Sequence, residues 1–228
     1  MKLISLNARG LNRPCKLRSV SLRLLKLKPD VILLQELHTP KNELFTQLFE
    51  DYDIFVESSC SNSAGVATLV LKSIGATLVY SSSNRVIIVK LKNDILITNI
   101  YAPNDPSEKA RFFKDLSNRT NSSSSIVMGD TNTVTCKNDI STQNFHPDRC
   151  DTKAFNHLIS SCGLTDATDI TNEKKFTFSG PNVTSRIDKA LLSADLHSNI
   201  KFSVHSLSKQ DHAAIILEAR PGRAAGNA

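Results

Sequence analysis

Asn7, Glu36, Tyr101, Asp130, Asn132 and the pair Asp211–His212 each stand at the edge of a short apolar run. Asn7 closes Lys2–Asn7, Glu36 lies two residues beyond Leu34, and Tyr101 closes Ile95–Tyr101. Asp130 and Asn132 follow Ile126–Met128, while Asp211 and His212 directly precede Ala213–Leu217. Asp188 falls inside a strand-like segment, between Ile187 and Leu191. In a sheet protein, groups at strand ends collect along one rim and are held there by rigid elements. Four carboxylates, two asparagine amides, a tyrosine and a histidine on one rim would attract a hard divalent cation. Mg²⁺ suits such a set, since it takes oxygen ligands, usually one or two carboxylates completed by water and substrate phosphate. Glu36 is the leading ligand, because Val31–Leu34 fixes the backbone beneath it. An aspartate inside a strand and a histidine elsewhere, here Asp188 and His212, suggest an orienting pair. The carboxylate would set the imidazole tautomer and stabilise its protonated form. That imidazole could then relay a proton or stabilise charge on an attacked phosphoryl group.

Taken singly, each residue has a plainer reading. A glutamate after a strand is usually solvated. Gly129–Asn132 could be an ordinary turn, Asp211–His212 a loop pair and Tyr101 a strand-end aromatic. The argument rests on their joint occurrence at successive strand ends.

The elements that would position them follow from periodicity. Alternating or short apolar runs predict strands at Lys2–Asn7, Val31–Leu34, Tyr52–Glu57, Val66–Leu71, Ala76–Tyr80, Val86–Leu91, Ile95–Tyr101 and Ile126–Met128. Further strands are expected at Phe176–Phe178, Arg186–Leu192, Lys201–His205 and Ala213–Glu218. Helical spacing marks Arg13–Leu27, Pro40–Phe49, Pro106–Thr120 and Asp151–Ser160, with loops at Asn121–Ser125 and Thr131–Arg149. Many strands with interspersed helices, and no clean βαβ alternation, favour two packed sheets flanked by helices.

The chain has 228 residues, 40% of them hydrophobic and 22% charged, with a net charge of +6. One domain over 1–220 is expected, with 221–228 a disordered tail or an added remnant. The composition excludes collagen-like and wholly disordered classes. No apolar run is long enough to span a bilayer, and no signal peptide precedes the first strand, so a soluble protein is expected. Cys15, Cys60, Cys136, Cys150 and Cys162 are odd in number and scattered, as expected of free thiols in a reducing compartment. A pI of about 9.1 favours a polyanionic partner only weakly.

Read in order, these residues resemble the motifs of the endonuclease/exonuclease/phosphatase superfamily. They are Asn7 in SLNARGL, Glu36 in LLQELH, Tyr101 in NIYAPN, Asp130 and Asn132 in MGDTNT, Asp188 in SRID and Asp211–His212 in QDHAAI. Within it the chain looks most like the apurinic-type endonuclease domain of non-LTR (LINE-type) retrotransposons. The resemblance implies a deoxyribonuclease-I-like fold, a four-layer α/β sandwich of two packed, mostly antiparallel sheets flanked by helices. It also implies metal-dependent hydrolysis of a phosphodiester in double-stranded DNA. Glu36 would bind Mg²⁺, or Mn²⁺ in its place, with Asn7 close by and Asp211 completing the surroundings of the metal and the histidine. Asp130 would position or deprotonate the attacking water. Asn132 would hold the scissile phosphate, with Tyr101 and Asn104 polarising it and His212, oriented by Asp188, touching it.

Departures from the superfamily pattern bear on the subfamily. Arg9 stands where abasic-site repair enzymes carry a metal-assisting aspartate, and Ser185 where they carry a tryptophan that walls the abasic pocket. A snug abasic pocket is therefore not expected. Gln210 replaces a common serine, and Thr131 a bulky apolar residue. Asp148–Arg149 resembles a DR element of retroelement enzymes, and Ser179–Ser185 the hairpin that reaches into DNA. Arg9, Asn104, Arg149, Thr177 and Ser185 are the residues expected to touch substrate. The expected protein is a nuclear nicking enzyme fused to a reverse transcriptase, whose product 3′-hydroxyl primes that polymerase. The alternatives are an abasic-site endonuclease, an inositol-phosphate phosphatase, a sphingomyelinase, a deadenylase, or an inert DNA-binding module.

Overall fold

The computed structural model describes residues 1–39, 42–58, 64–120, 124–207 and 210–219. Among them, one six-stranded sheet runs in the order β13 (Ile200–His205), β14 (Ala214–Ala219), β1 (Lys2–Asn7), β2 (Val31–Gln35), β4 (Val66–Leu71) and β3 (Tyr52–Glu57). A second runs β5 (Ala76–Ser82), β6 (Val86–Leu91), β7 (Leu96–Tyr101), β8 (Ser125–Asp130), β12 (Asp188–Ser193) and β9 (Leu164–Asp166). Each sheet has one parallel pairing, β1 with β2 and β7 with β8, and is otherwise antiparallel. Helices α1 (Pro14–Lys26) and α2 (Glu43–Leu48) cover the outside of the first sheet, and α3 (Pro106–Ser117) and α4 (Cys150–Ser161) that of the second. The short α5 (Ala167–Thr171) packs against β13 and β12. The four layers are those expected.

Strand alternation explains the layering. On β1, Leu3, Ser5 and Asn7 face the opposite sheet while Ile4 and Leu6 face α1. Inward stripes of β2, β7, β8 and β12 change in the same way: Val31–Leu33–Gln35, Ile97–Asn99–Tyr101, Ile126–Met128–Asp130 and Leu192–Ala190–Asp188. Each is apolar at one end of the sandwich and polar at the other. In the intermediate layer the Gln35 and Asn99 amides find partners within the sandwich, as most buried polar groups do. Gln35 donates to Asn99 Oδ1 (2.7 Å) and Ser5 Oγ (3.0 Å), and Asn99 donates to the carbonyls of Leu34 and Ala67.

Helix α1 begins with Pro14 at its first turn, buries Leu17, Val20, Ser21 and Leu24 at helical spacing, and stops before Lys28, at φ +51°. Asp105 caps α3 by accepting from the N–H groups of Ser107 and Glu108.

Several predicted boundaries shift. The Arg186–Leu192 strand is β12 at Asp188–Ser193, because Arg186 and Ile187 bond to loop residues Asp139 and Thr131 instead of a neighbouring strand. Phe176–Phe178 enters ladder pairing only as β10 (Phe178–Ser179), opposite β11 (Thr184–Ser185). The predicted Thr131–Arg149 loop contains a 3₁₀ turn at Lys137–Asp139. Elements β9 and α5 are too short to show a period and were not predicted. The helix predicted from Pro40 starts at Glu43 among the described residues; residues 40–41, Cys60 and the 221–228 tail lie outside them. Cys15, Cys136, Cys150 and Cys162 are free thiols. No described helix is long and apolar enough to cross a membrane.

Gly129 carries the backbone into the site. Its φ is +147°, and a Cβ there would lie 2.0 Å from the Ile100 carbonyl oxygen on the parallel neighbour. Gly129→Ala is expected to destabilise the protein by about 3 kcal/mol or more. A denaturant melt would show it, and an unchanged midpoint would refute the close approach.

Candidate active site

The polar ends of the five stripes meet. Tyr101, Asp130 and Asp188 lie in register across the second sheet, and Asn7 pairs with Gln35 across the first. Asn7 bridges the two sheets, donating from Nδ2 to Glu36 Oε1 (2.9 Å) and to Asp130 Oδ2 (2.9 Å). Its Oδ1 accepts from the Arg9 N–H (3.1 Å), so in this arrangement Asn7 holds two carboxylates in place. Alternation would send Glu36 outward after the inward Gln35. A left-handed backbone at Glu36, φ +50°, brings it to the mouth instead, and Asn132 has the same twist at φ +47°.

Glu36 Oε1 also accepts from the Tyr101 hydroxyl (3.0 Å), and Oε2 lies 3.7 Å from His38 Nε2. Burial, then the negative Glu36, push the Tyr101 phenol well above its usual range, so it stays a donor. With Oε1 doubly engaged, Oε2 is the oxygen offered to the cleft, an oxygen donor beside a mouth open to water. That fits a hard cation held by one protein carboxylate.

Across the mouth, His212 Nδ1 lies 2.9 Å from Asp188 Oδ2, and its Nε2 lies 3.9 Å from Asp130 Oδ2. Burial opposes a charged imidazole, but the attraction of the Asp188 carboxylate and the hydrogen bond it accepts from Nδ1 overcome it. Asp130 and Asp211 add to the pull, and His212 is raised to about 9. Burial and the Asp188 carboxylate push Asp130 up to about 7, against the pull of His212 and of hydrogen bonds from Asn7 and Asn132. Donor atoms of Asp130, Asp188 and His212 converge closely enough to hold a metal. However, Nδ1 is committed to Asp188, and an imidazole protonated at neutral pH has no free lone pair. This trio is therefore suited to handling protons, and Glu36 to holding a cation.

Supporting contacts fix these groups. Thr177, expected to touch substrate, is buried, and its Oγ1 accepts from the N–H groups of Ile187 (3.2 Å) and Asp188 (3.0 Å). Ser185 is also buried, bridged to Ile140 at the base of the hairpin. Arg149 forks onto Asp151 (3.0 and 2.8 Å) and lines a cavity of about 70 Å³ with Asn132, His146 and Ile187. Asn104 is exposed ahead of α3. Arg9 and Asp211 form an ion pair across the mouth, and Asp211 Oδ1 accepts from the His212 N–H.

Other residues of the site gave no signal in the sequence. Lys109, buried on α3, donates to the Asn132 carbonyl and pairs with Asp151 (2.8 Å). The Phe178 ring packs on His212 at 5.0 Å between centroids. Lys189, on the outer face of β12, and Arg186, just before that strand, hold Asp139 (2.9 and 2.7 Å), which anchors the loop leading from Asn132. These two cations pull Asp139 well below the usual carboxylate range despite its burial.

Comparison with solved structures places the fold. An AP endonuclease from Archaeoglobus fulgidus superposes with a TM-score of 0.83 at 18% identity, covering 96% of this chain and 99% of that one. A 3′-5′ exonuclease from Neisseria meningitidis gives 0.82 at 20% identity, with 96% and 99% covered. A 3′ phosphatase from Neisseria bound to a product DNA hairpin gives 0.79 at 19%, again covering 96% and 99%. At such identities the likeness speaks for the fold alone. The family model described as the endonuclease/exonuclease/phosphatase family matches residues 4–212, which spans every strand-end residue described above, and the chain belongs to that family.

Proposed function

We propose that this protein is a Mg²⁺-dependent DNA endonuclease of a non-LTR retrotransposon, nicking one strand of duplex DNA and leaving a 3′-hydroxyl. The observation that carries the hydrolytic reading is the pairing of Asp130 and His212 across one mouth, with Glu36 beside them. At neutral pH, Asp130 accepts a proton from the attacking water while His212, oriented by Asp188, places positive charge on the phosphate. Asn132 and Tyr101 border the same mouth and position the phosphate, with Asn104 and Arg149 further out. Glu36 holds the cation, with Asn7 and Asp211 beside it; when bound, that ion polarises the phosphoryl group and stabilises the leaving oxygen, and Mn²⁺ is expected to substitute.

Arg9 and Ser185, at positions where the repair enzymes differ, favour the retroelement subfamily over abasic-site repair. The Asp148–Arg149 element points the same way. In this reading a reverse transcriptase domain belongs to the same polyprotein, and the site of action is the nucleus, where free thiols persist.

The test is conversion of supercoiled plasmid to open circle with Mg²⁺, with Mn²⁺ and with EDTA, followed by polymerase extension of the nick. Metal-dependent nicking with extendable ends supports the reading. Intact plasmid in both metals would exclude DNA nicking and turn attention to phosphoinositides, sphingomyelin and poly(A).

A further inference from the structure

The first 29 residues hold eight of the 28 basic side chains and none of the 22 acidic ones, so the other 199 residues carry a net charge of −2. The positive charge of the whole protein therefore comes from β1, α1 and the turns beside them. Helix α1 starts at the rim, where Gly10 and Leu11 donate to the carbonyls of Glu36 and Leu37, and runs 13 residues along the flank. At 1.5 Å per residue it extends about 20 Å away from the cleft.

Its buried face is Leu17, Val20, Ser21 and Leu24; its outward face carries Arg18, Leu22 and Lys26 at four-residue spacing, with Arg13 before it and Lys28 after it. All five are exposed. Among the described residues, Arg13, Arg18, Lys26 and Lys28 make no salt bridge, whereas cations elsewhere commonly do: Lys109, Arg149, Lys153, Lys174, Arg186 and Lys189 are all paired. Nearby acids are partly spent, Asp30 near the terminal amine and Asp211 on Arg9. Unpaired guanidinium and ammonium groups without acidic neighbours on their own helix bind a polyanion by releasing its counterions. A lone Leu22 offers too little apolar area for a membrane-lying helix.

We propose that the outer face of α1 is a second nucleic-acid contact, taking the phosphate backbone of the substrate where it leaves the cleft on the β1–α1 side. This rests on the nucleic-acid reading of the cleft and adds a surface to it. The contact is electrostatic and blind to sequence, so it supplies affinity without choosing the site of cleavage.

Binding is measured in EDTA by fluorescence anisotropy over a salt series, on duplexes of about 12 and about 40 base pairs. The wild type is compared with the triple variant Arg18→Gln, Lys26→Gln, Lys28→Gln. These exposed side chains make no contact the fold depends on, and unchanged melting of the variant checks that. On the longer duplex, the slope of log K against log salt is expected to fall by about 3, roughly 0.9 for each phosphate no longer neutralised. Affinity and turnover on the short duplex should not change. Coincident slopes on the longer duplex would overturn the proposal, as would an equal loss on both lengths. Failure of the wild type to bind either duplex would instead remove the nucleic-acid reading, and this surface with it.

Discussion

His212→Ala is expected to lower turnover by about 10²- to 10⁴-fold with the fold intact, the range for a positioned acid–base group. Asp188→Asn keeps the imidazole but removes the carboxylate that raises it, so its loss should approach that of His212→Ala. Combining the two should cost little more than either alone, because they act as one unit. The pH profile gives the sharper check. Asp130, raised to about 7, must be ionised to accept a proton, so kcat/KM should climb through that region. His212, raised to about 9, must be protonated to bear charge, so activity should fall as pH passes that value. A plateau starting near pH 5, or a profile flat through pH 9, would contradict the assignment. Asp130→Asn should abolish the acid limb together with most of the turnover.

Glu36→Gln should raise the Mg²⁺ concentration for half-maximal activity by at least about tenfold, with calorimetric Mn²⁺ affinity falling in parallel. Neutralising Glu36 removes the charge of Oε2, while the amide can still meet Asn7 or Tyr101. Tyr101→Phe is the milder control: it deletes the O–H that holds Oε1 and leaves the carboxylate. If Glu36→Gln left cation affinity unaltered, the ion would have to sit on the Asp130, Asp188 and His212 side of the mouth, and the division of labour argued above would reverse.

Much of this was legible before folding, for a physical reason. Leu3, Ser5 and Asn7, or Ile126, Met128 and Asp130, alternate with outward apolar residues, and period-two alternation leaves only one face for the polar members. That is why Asn7, Tyr101, Asp130 and Asp188 could be placed on a common rim. The family motifs then supplied what spacing alone could not, above all the partition of roles among carboxylates. What stayed hidden depended on contacts between distant segments. Lys109 has the spacing of a solvated helix residue, and only the packing of α3 against α4 brings it onto Asp151 and the Asn132 carbonyl. Thr177 was expected to touch substrate, and nothing in its spacing shows that its hydroxyl is spent on the backbone that carries Asp188. Short β9 and α5 have no period to read and are held by neighbours far along the chain.

The hairpin formed by β10 and β11 is tied down at its root on both sides. Ser179 donates to the Asp211 carbonyl and Ala213 to that of Thr177, while Ser141 donates to the carbonyl of Thr184. The exposed tip at Pro181–Asn182 lies beyond these ties. The tip can therefore change in length or sequence while His212, bridged to Phe178 at the root, keeps its place. The ties isolate the catalytic imidazole mechanically from whatever the tip meets.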